Sequence, residues 1–151
     1  MGSCGEAEGV SVGEGWKGEF RVEERFERGW ELLKQMHAQA GARTIASFDA
    51  IAPDLGRYIV EFAYGDIYRR PGLDLKQRQL LTIACLVALG DTGPELSVHL
   101  NTGLNVGLSP QEIVEAILHC IPYVGFPRVM NAMTIAKQVL ETRGDSGQGE
   151  R

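Results

Sequence analysis

Three histidines stand among the 151 residues, and their surroundings differ. His99 follows Glu95 by four positions, which puts an imidazole and a carboxylate on one face of a helix. A carboxylate so placed raises the imidazole pKa and fixes its tautomer, as a proton donor or an oxyanion partner requires. The same spacing also makes an ordinary surface ion pair. Gly103 falls one turn further along that face and leaves space for a ligand. His119 sits in an apolar stretch beside Cys120 and reads as a core or interface histidine. His37 reads as structural, closing an amphipathic helix where a cation complements the macrodipole.

A second concentration of polar and aromatic groups runs from Glu61 to Asp74 (EFAYGDIYRRPGLD). Arg70 and Arg78 flank its turn. A guanidinium there can grip a carboxylate bidentately, and Tyr64 or Tyr68 can donate a hydrogen bond. The same residues suit helix-end capping and pairing with Asp66 or Asp74. Cys85 and Cys120 lie in apolar runs, where a thiol behaves as a small hydrophobe with a pKa that tends upward. With Cys4 the cysteine count is three and the spacing wide, so no disulfide framework is implied. There is no GxSxG, no P-loop and no dinucleotide fingerprint, and the scattered acids form no metal motif.

The elements that must position these groups read as helices. Val22, Phe26, Trp30, Leu33 and His37 recur at helical spacing, and Gly41 is expected to end that helix. A second helical stretch covers about 43–51, and Pro53 opens a third through Tyr68, with Pro71 and Gly72 as the break. Three later starts carry capping-box patterns: Asp74 with Gln77, Thr92 with Glu95, and Ser109 with Glu112 behind Pro110. Gly107, Gly125 and Gly144 are the expected stops. Period-two alternation is scarce, so the expected class is all-α with six or seven helices. Residues 80–89 show no hydrophilic face, and 113–121 is interrupted only by Glu115 and His119. A helix that is apolar on every side must be buried on every side, which in a chain this small points to subunit association.

The composition narrows the function. With 44% apolar residues the chain can bury a core without staples, and a net charge of −5 argues against a dedicated nucleic-acid binder. No apolar run reaches membrane-spanning length. The first 20 residues hold six glycines and four acids with no hydrophobic stretch, unlike a secretory signal. The expected organisation is a flexible arm over 1–20, pinned by Trp16 and Phe20, a helical domain over 21–143 and a flexible tail over 144–151. A reducing, cytoplasmic setting fits the cysteines.

From Phe62 to Asn131 the sequence resembles the carboxymuconolactone decarboxylase family, within the alkylhydroperoxidase-like superfamily. The matching text is FAYGDIYRRPGLDLKQRQLLTIACLVALG, HLNTGLNVGLSPQEIVEAILH and YVGFPRVMNAM. The resemblance implies an all-helical subunit assembled into trimers or hexamers, with active sites near subunit contacts. It also implies decarboxylation of a carboxylated muconolactone without a cofactor, in the breakdown of aromatic acids. His99 matches the family's histidine after the central helix and becomes the expected proton donor or oxyanion partner. Glu95 is expected to orient it; Arg70, Arg78 and Tyr64 are expected to hold substrate. The peroxidase branch carries a CxxC one turn before this histidine, where this chain has Thr92 and Glu95, so disulfide cycling is not expected. That branch's proton-relay glutamate falls at Gln79. The alternatives are a proton-transfer enzyme on another cyclic acid and a non-catalytic oligomeric binding protein.

Overall fold

The computed structural model describes residues 22–146. The expectations for the arm over 1–20, for Trp16 and Phe20, and for the last five residues lie outside the described residues. Among those described, every regular element is helical: α1 (Val22–Ala46), α2 (Pro53–Tyr58), a π-helical segment (Ile59–Ile67), α3 (Leu75–Leu89), α4 (Gly93–Asn105), α5 (Pro110–His119), α6 (Ile121–Val124) and α7 (Phe126–Ser146). The expected all-α class holds.

The punctuation works where side chains satisfy free amides. Asp74 accepts from the Gln77 amide while Gln77 returns a bond to Asp74, and Ser109 and Glu112 do the same at α5. The expected box at α4 does not form: the Thr92 hydroxyl turns back to the Leu86 carbonyl at 2.9 Å and ties the turn to the end of α3. Gly107, at φ +96°, follows the end of α4 as expected. Two glycines do not stop helices. Gly41 lies inside α1, which absorbs the start of the expected second stretch, and α7 runs past Gly144 to Ser146. Gly41 is buried against Leu33 and the first carbons of His37, so the missing side chain there serves packing. The third expected helix forms from Pro53, but from Ile59 it widens into π winding, with the Tyr68 amide reaching back five residues to Ala63.

The chain folds around two apolar cores. Ile83, Val87, Leu96, Leu100, Ile113, Ile117 and Val129 centre the larger, built by α3 to α7. Leu32, Leu33, Met36, Val60 and Tyr64 form the smaller, where α1 lies on the π segment. That contact is unusually close because glycines line it. A Cβ on residue 29 would sit 2.1 Å from the Val60 carbonyl oxygen, and one on residue 65 would sit 2.8 Å from that of Arg25. Arg25 then grips Asp66 with two bonds, Nη2–Oδ2 at 2.5 Å and Nε–Oδ1 at 3.2 Å.

Gly29→Ala tests this crossing. Backbone has no means to yield locally at such a distance, so the variant is expected to lose about 1–3 kcal/mol or more in urea unfolding. An unchanged unfolding midpoint would show that α1 does not lie this close to the π segment.

Candidate active site

Among the described residues, four buried polar side chains gather on the seam between the two cores, while a fifth, Glu61, pairs with Arg57 at 3.6 Å. His37 from α1 is 5% exposed and Thr102 from α4 1%; Tyr64 from the π segment is 6% exposed and Gln79 from α3 is fully enclosed. Burying these groups unpaired would cost roughly 1–3 kcal/mol each. Each has a partner.

His37 is bonded at both nitrogens. Its Nε2 meets the Tyr64 hydroxyl and its Nδ1 meets Thr102 Oγ1 at 2.7 Å. Thr102 also bonds the Val98 carbonyl at 2.9 Å. The hydroxyl of Thr102 has one proton and a carbonyl only accepts, so both bonds exist together only if His37 Nδ1–H donates to Thr102. His37 Nε2 is then a lone pair, and Tyr64 O–H donates to it. The ring is neutral, in keeping with a pKa pushed down to about 4 by burial first and then by the nearby charge of His99. Burial pushes the Tyr64 phenol up, so its proton stays in place.

The same accounting fixes His99. Thr82 Oγ1 donates to the Arg78 carbonyl at 2.9 Å and therefore accepts from the Tyr68 hydroxyl at 3.0 Å. Tyr68 then accepts from Gln79 Nε2 at 3.2 Å, which turns Gln79 Oε1 toward His99 Nδ1 at 3.1 Å. An amide oxygen only accepts, so His99 carries its proton on Nδ1. Nε2 makes no hydrogen bond among the described residues. It is the one nitrogen of the pair left without a hydrogen bond there. The two imidazoles meet edge-on, with centroids 5.7 Å apart and planes at 83°. Tyr64 and Tyr68 stack at 5.2 Å along the π segment, whose wide turn aims both at the seam.

This arrangement assigns new parts to several expected residues. Glu95 is exposed, makes no hydrogen bond to His99, and leaves the tautomer to Gln79, because the Nδ1 edge of the ring faces α3. The Glu95 carboxylate still raises the His99 pKa through space, but burial outweighs it and the net shift is downward. Arg78 donates to the carbonyls of Leu73 (3.2 Å) and Arg70 (2.6 Å) and so braces the turn. The Arg70 side chain is exposed and makes no bond among the described residues, and neither guanidinium is hydrogen-bonded to the histidine cluster. The hydroxyl of Tyr64 is committed to His37. His37 is no helix-end cation: α1 continues nine residues beyond it to Ala46, and the ring is a buried neutral linker. His119 is exposed and packs against Tyr123, outside the core. Cys120 is buried, and burial raises its thiol pKa as expected, whereas Cys85 is exposed on α3.

Thr82 and Thr102 are the members of this network that motif reasoning passes over, while His37, Tyr68 and Gln79 are noticed by it but not placed together. Gln79 stands at one of the positions where the sequence departs from the peroxidase branch. A cavity of about 340 Å³ lies beyond His37, with Asn101, Asn105 and Arg143 among its lining residues. No group of three or more histidines, cysteines or acids among the described residues is arranged to hold a metal, and no described helix is long and apolar enough to cross a membrane.

The fold and site define an all-helical protein built around a buried histidine seam. A family model described as the carboxymuconolactone decarboxylase family matches residues 53–138, and the chain belongs to that family. It is 35% identical over 123 residues to the 4-carboxymuconolactone decarboxylase of Acinetobacter baylyi, covering 81% of this chain and 91% of that one. It is 37% identical over 121 residues to the nitrosuccinic acid decarboxylase of Metarhizium robertsii, covering 80% of this chain and 82% of that one. A protein of Paracoccus denitrificans known only as an uncharacterized 15.0 kDa protein is 25% identical over 118 residues, 78% of this chain and 88% of its own.

The buried ring of His37 makes folding pH-dependent. In the unfolded chain a histidine takes its proton near pH 6.5, but His37 in the fold does so only near 4. Between those values the unfolded state holds more protons. The stability this contributes is therefore complete above about pH 6.5 and is lost as pH falls toward 4, by roughly 3 kcal/mol. His99, lowered for the same cause, acts in the same direction. Urea unfolding between pH 7 and 4 should show this loss, and His37→Gln should flatten it; equal slopes in both proteins would contradict a buried neutral His37.

Proposed function

We propose that the protein is a cofactor-independent decarboxylase of small carboxylated acids in which a neighbouring group takes up the departing electron pair. Membership in the family and the names of two relatives support this reading, and the observation that carries it is the unbonded Nε2 of His99. The two named substrates share a chemistry. Loss of CO2 from a carboxymuconolactone sends the C–C electron pair through the ring double bond onto the lactone carbonyl, giving a dienolate. Loss of the carboxylate beside a nitro group gives a nitronate. Both need one proton on carbon afterwards and a donor to the developing oxyanion.

His99 supplies that proton from Nε2 in its imidazolium form, while Nδ1–H stays bonded to Gln79. The hydrogen-bond chains behind the two imidazoles end on the carbonyls of Arg78 and Val98, so neither leads a proton away. The neutral ring is then reprotonated from solvent at Nε2, and one proton is consumed per CO2 released. A depressed pKa makes the imidazolium a better acid than free imidazolium, and an anionic substrate beside it favours the charged form. Glu95 adds to that preference through space. Arg70, exposed and unbonded, is the guanidinium we assign to the substrate carboxylate, with Arg78 holding the turn that presents it.

The active species in this reading is a cytoplasmic homo-oligomer, a trimer or a hexamer. Leu81, Cys85 and Leu89 form an exposed stripe along α3, and Tyr123, Phe126 and Met130 are exposed on α6 and α7. Such surface suits contact with further copies.

His99→Gln should fold and assemble normally and lose at least about 100-fold in kcat on 4-carboxymuconolactone or nitrosuccinic acid. In the wild type, log kcat/KM should fall as pH rises through the lowered His99 pKa, because kcat/KM is referred to the free enzyme, whose neutral His99 must gain a proton before it reacts. A rate that rises with pH over that range would make His99 a base, and an unchanged rate in the variant would remove it from the chemistry. Light scattering at micromolar concentration should give a multiple of 16.5 kDa, and Leu81→Glu with Leu89→Glu should lower it. A monomeric wild type would contradict the assembly.

A further inference from the structure

The segment matched by the family model begins at Pro53, yet one of the two imidazoles in the seam comes from α1, which ends at Ala46. Among α1's inward residues Leu32, Leu33 and Met36 supply apolar packing, and a further leucine at position 37 would do the same. The chain instead places an imidazole there, bonds both its nitrogens and stands it edge-on to His99. The geometry points to His37 as a positioning residue for His99: locked between Tyr64 and Thr102, its ring is the wall that fixes the plane of the His99 imidazole and the direction of Nε2. This inference rests on the reading of His99 as the reacting group.

The physical argument concerns rotation. A histidine held at a single nitrogen can swing about that bond. His99 is held at Nδ1 by Gln79, and Gln79 is itself clamped by Tyr68. The second constraint on the ring must come from packing, and the perpendicular contact with His37 supplies it. His37 can serve as that wall only while it is immobile and neutral. Its two hydrogen bonds meet the first condition. The second follows because a proton on Nε2 would displace the bond from Tyr64, and because a second positive charge would face His99. The groups bonded to or packed against His37 are Tyr64, Thr102 and His99, with Arg143 of α7 across the adjoining cavity, and those facing His99 are Gln79 from α3, Glu95 on its own helix and His37. Glu95 is the one among them with a charge that favours protonation of His99.

Two substitutions separate the lock from the bulk. His37→Phe keeps a ring and loses both hydrogen bonds. In His37→Gln the amide oxygen can accept from Tyr64 and the amide N–H can donate to Thr102, reproducing the lock. For a positioning residue, kcat should fall at least about 10-fold in His37→Phe with KM within about threefold, and His37→Gln should recover most of the loss. The second readout needs no turnover. The His99 ring proton, followed by NMR across pH, should titrate at a higher pH in His37→Phe than in wild type, as a loosened ring regains water, and should stay near the wild-type midpoint in His37→Gln. If His37→Phe does not fold, Tyr64→Phe removes one bond of the lock and should shift kcat and the midpoint in the same directions. A wild type silent on both acids, with the midpoint still shifted by His37→Phe and restored by His37→Gln, would fail the decarboxylase reading and uphold the positioning role. An unmoved midpoint with unmoved kcat in a folded His37→Phe, or equal losses in Phe and Gln variants, would overturn it.

Discussion

A buried imidazole has two nitrogens to satisfy, and in this protein that requirement joins the parts of the chain. His37 can enter the interior only if an acceptor and a donor meet it there, and Thr102 of α4 and Tyr64 of the π segment do so. Those two bonds register α1 against the family's helical core. They also explain why the contact of α1 with the π segment is stripped to glycine at positions 29 and 65: any side chain there would push His37 out of reach. The two apolar cores would tolerate many relative placements, because apolar packing is weakly directional. The polar seam tolerates one.

From that seam the chemistry follows by counting protons. Each hydroxyl and amide between the histidines and the helix carbonyls has a fixed duty, so the tautomers of both rings are determined and one nitrogen, His99 Nε2, is left over. Low exposure strengthens every one of these bonds and makes each unpaired alternative costly. The same burial depresses both imidazole pKa values, so the resting site is neutral. In the proposed mechanism an anionic substrate restores the charge, and the proton is used after CO2 has left.

Much of this was legible in the sequence, and the remainder was not for identifiable reasons. The helix starts at Asp74 and Ser109 are encoded in side chains that bond the nearest amides, so local pattern suffices. His99 stood out through its spacing and through family resemblance. Thr92 misled because its hydroxyl had a choice between its own helix and the Leu86 carbonyl, a tertiary contact. Gly41 misled because a small residue serves close packing as well as helix ends, and this misplaced His37 at a terminus although its spacing already put it on the inward face. Gln79, Thr82 and Thr102 carry no motif; their roles exist only once three helices are brought together. Glu95, four residues from His99, illustrates the limit of spacing. It shares a helix with the imidazole, but the edge of the ring that needs a partner faces α3.

The measurement closest to the central claim is side-chain ¹⁵N NMR of the histidines in the folded, ligand-free protein at neutral pH. With three histidines in the chain the signals can be assigned by substitution. The account predicts that His37 and His99 are both neutral, each with its proton on Nδ1, and that the His99 Nε2 resonance is that of a bare lone pair. A His99 protonated on Nε2, or one averaging between tautomers, would contradict a seam that fixes which nitrogen is left unbonded.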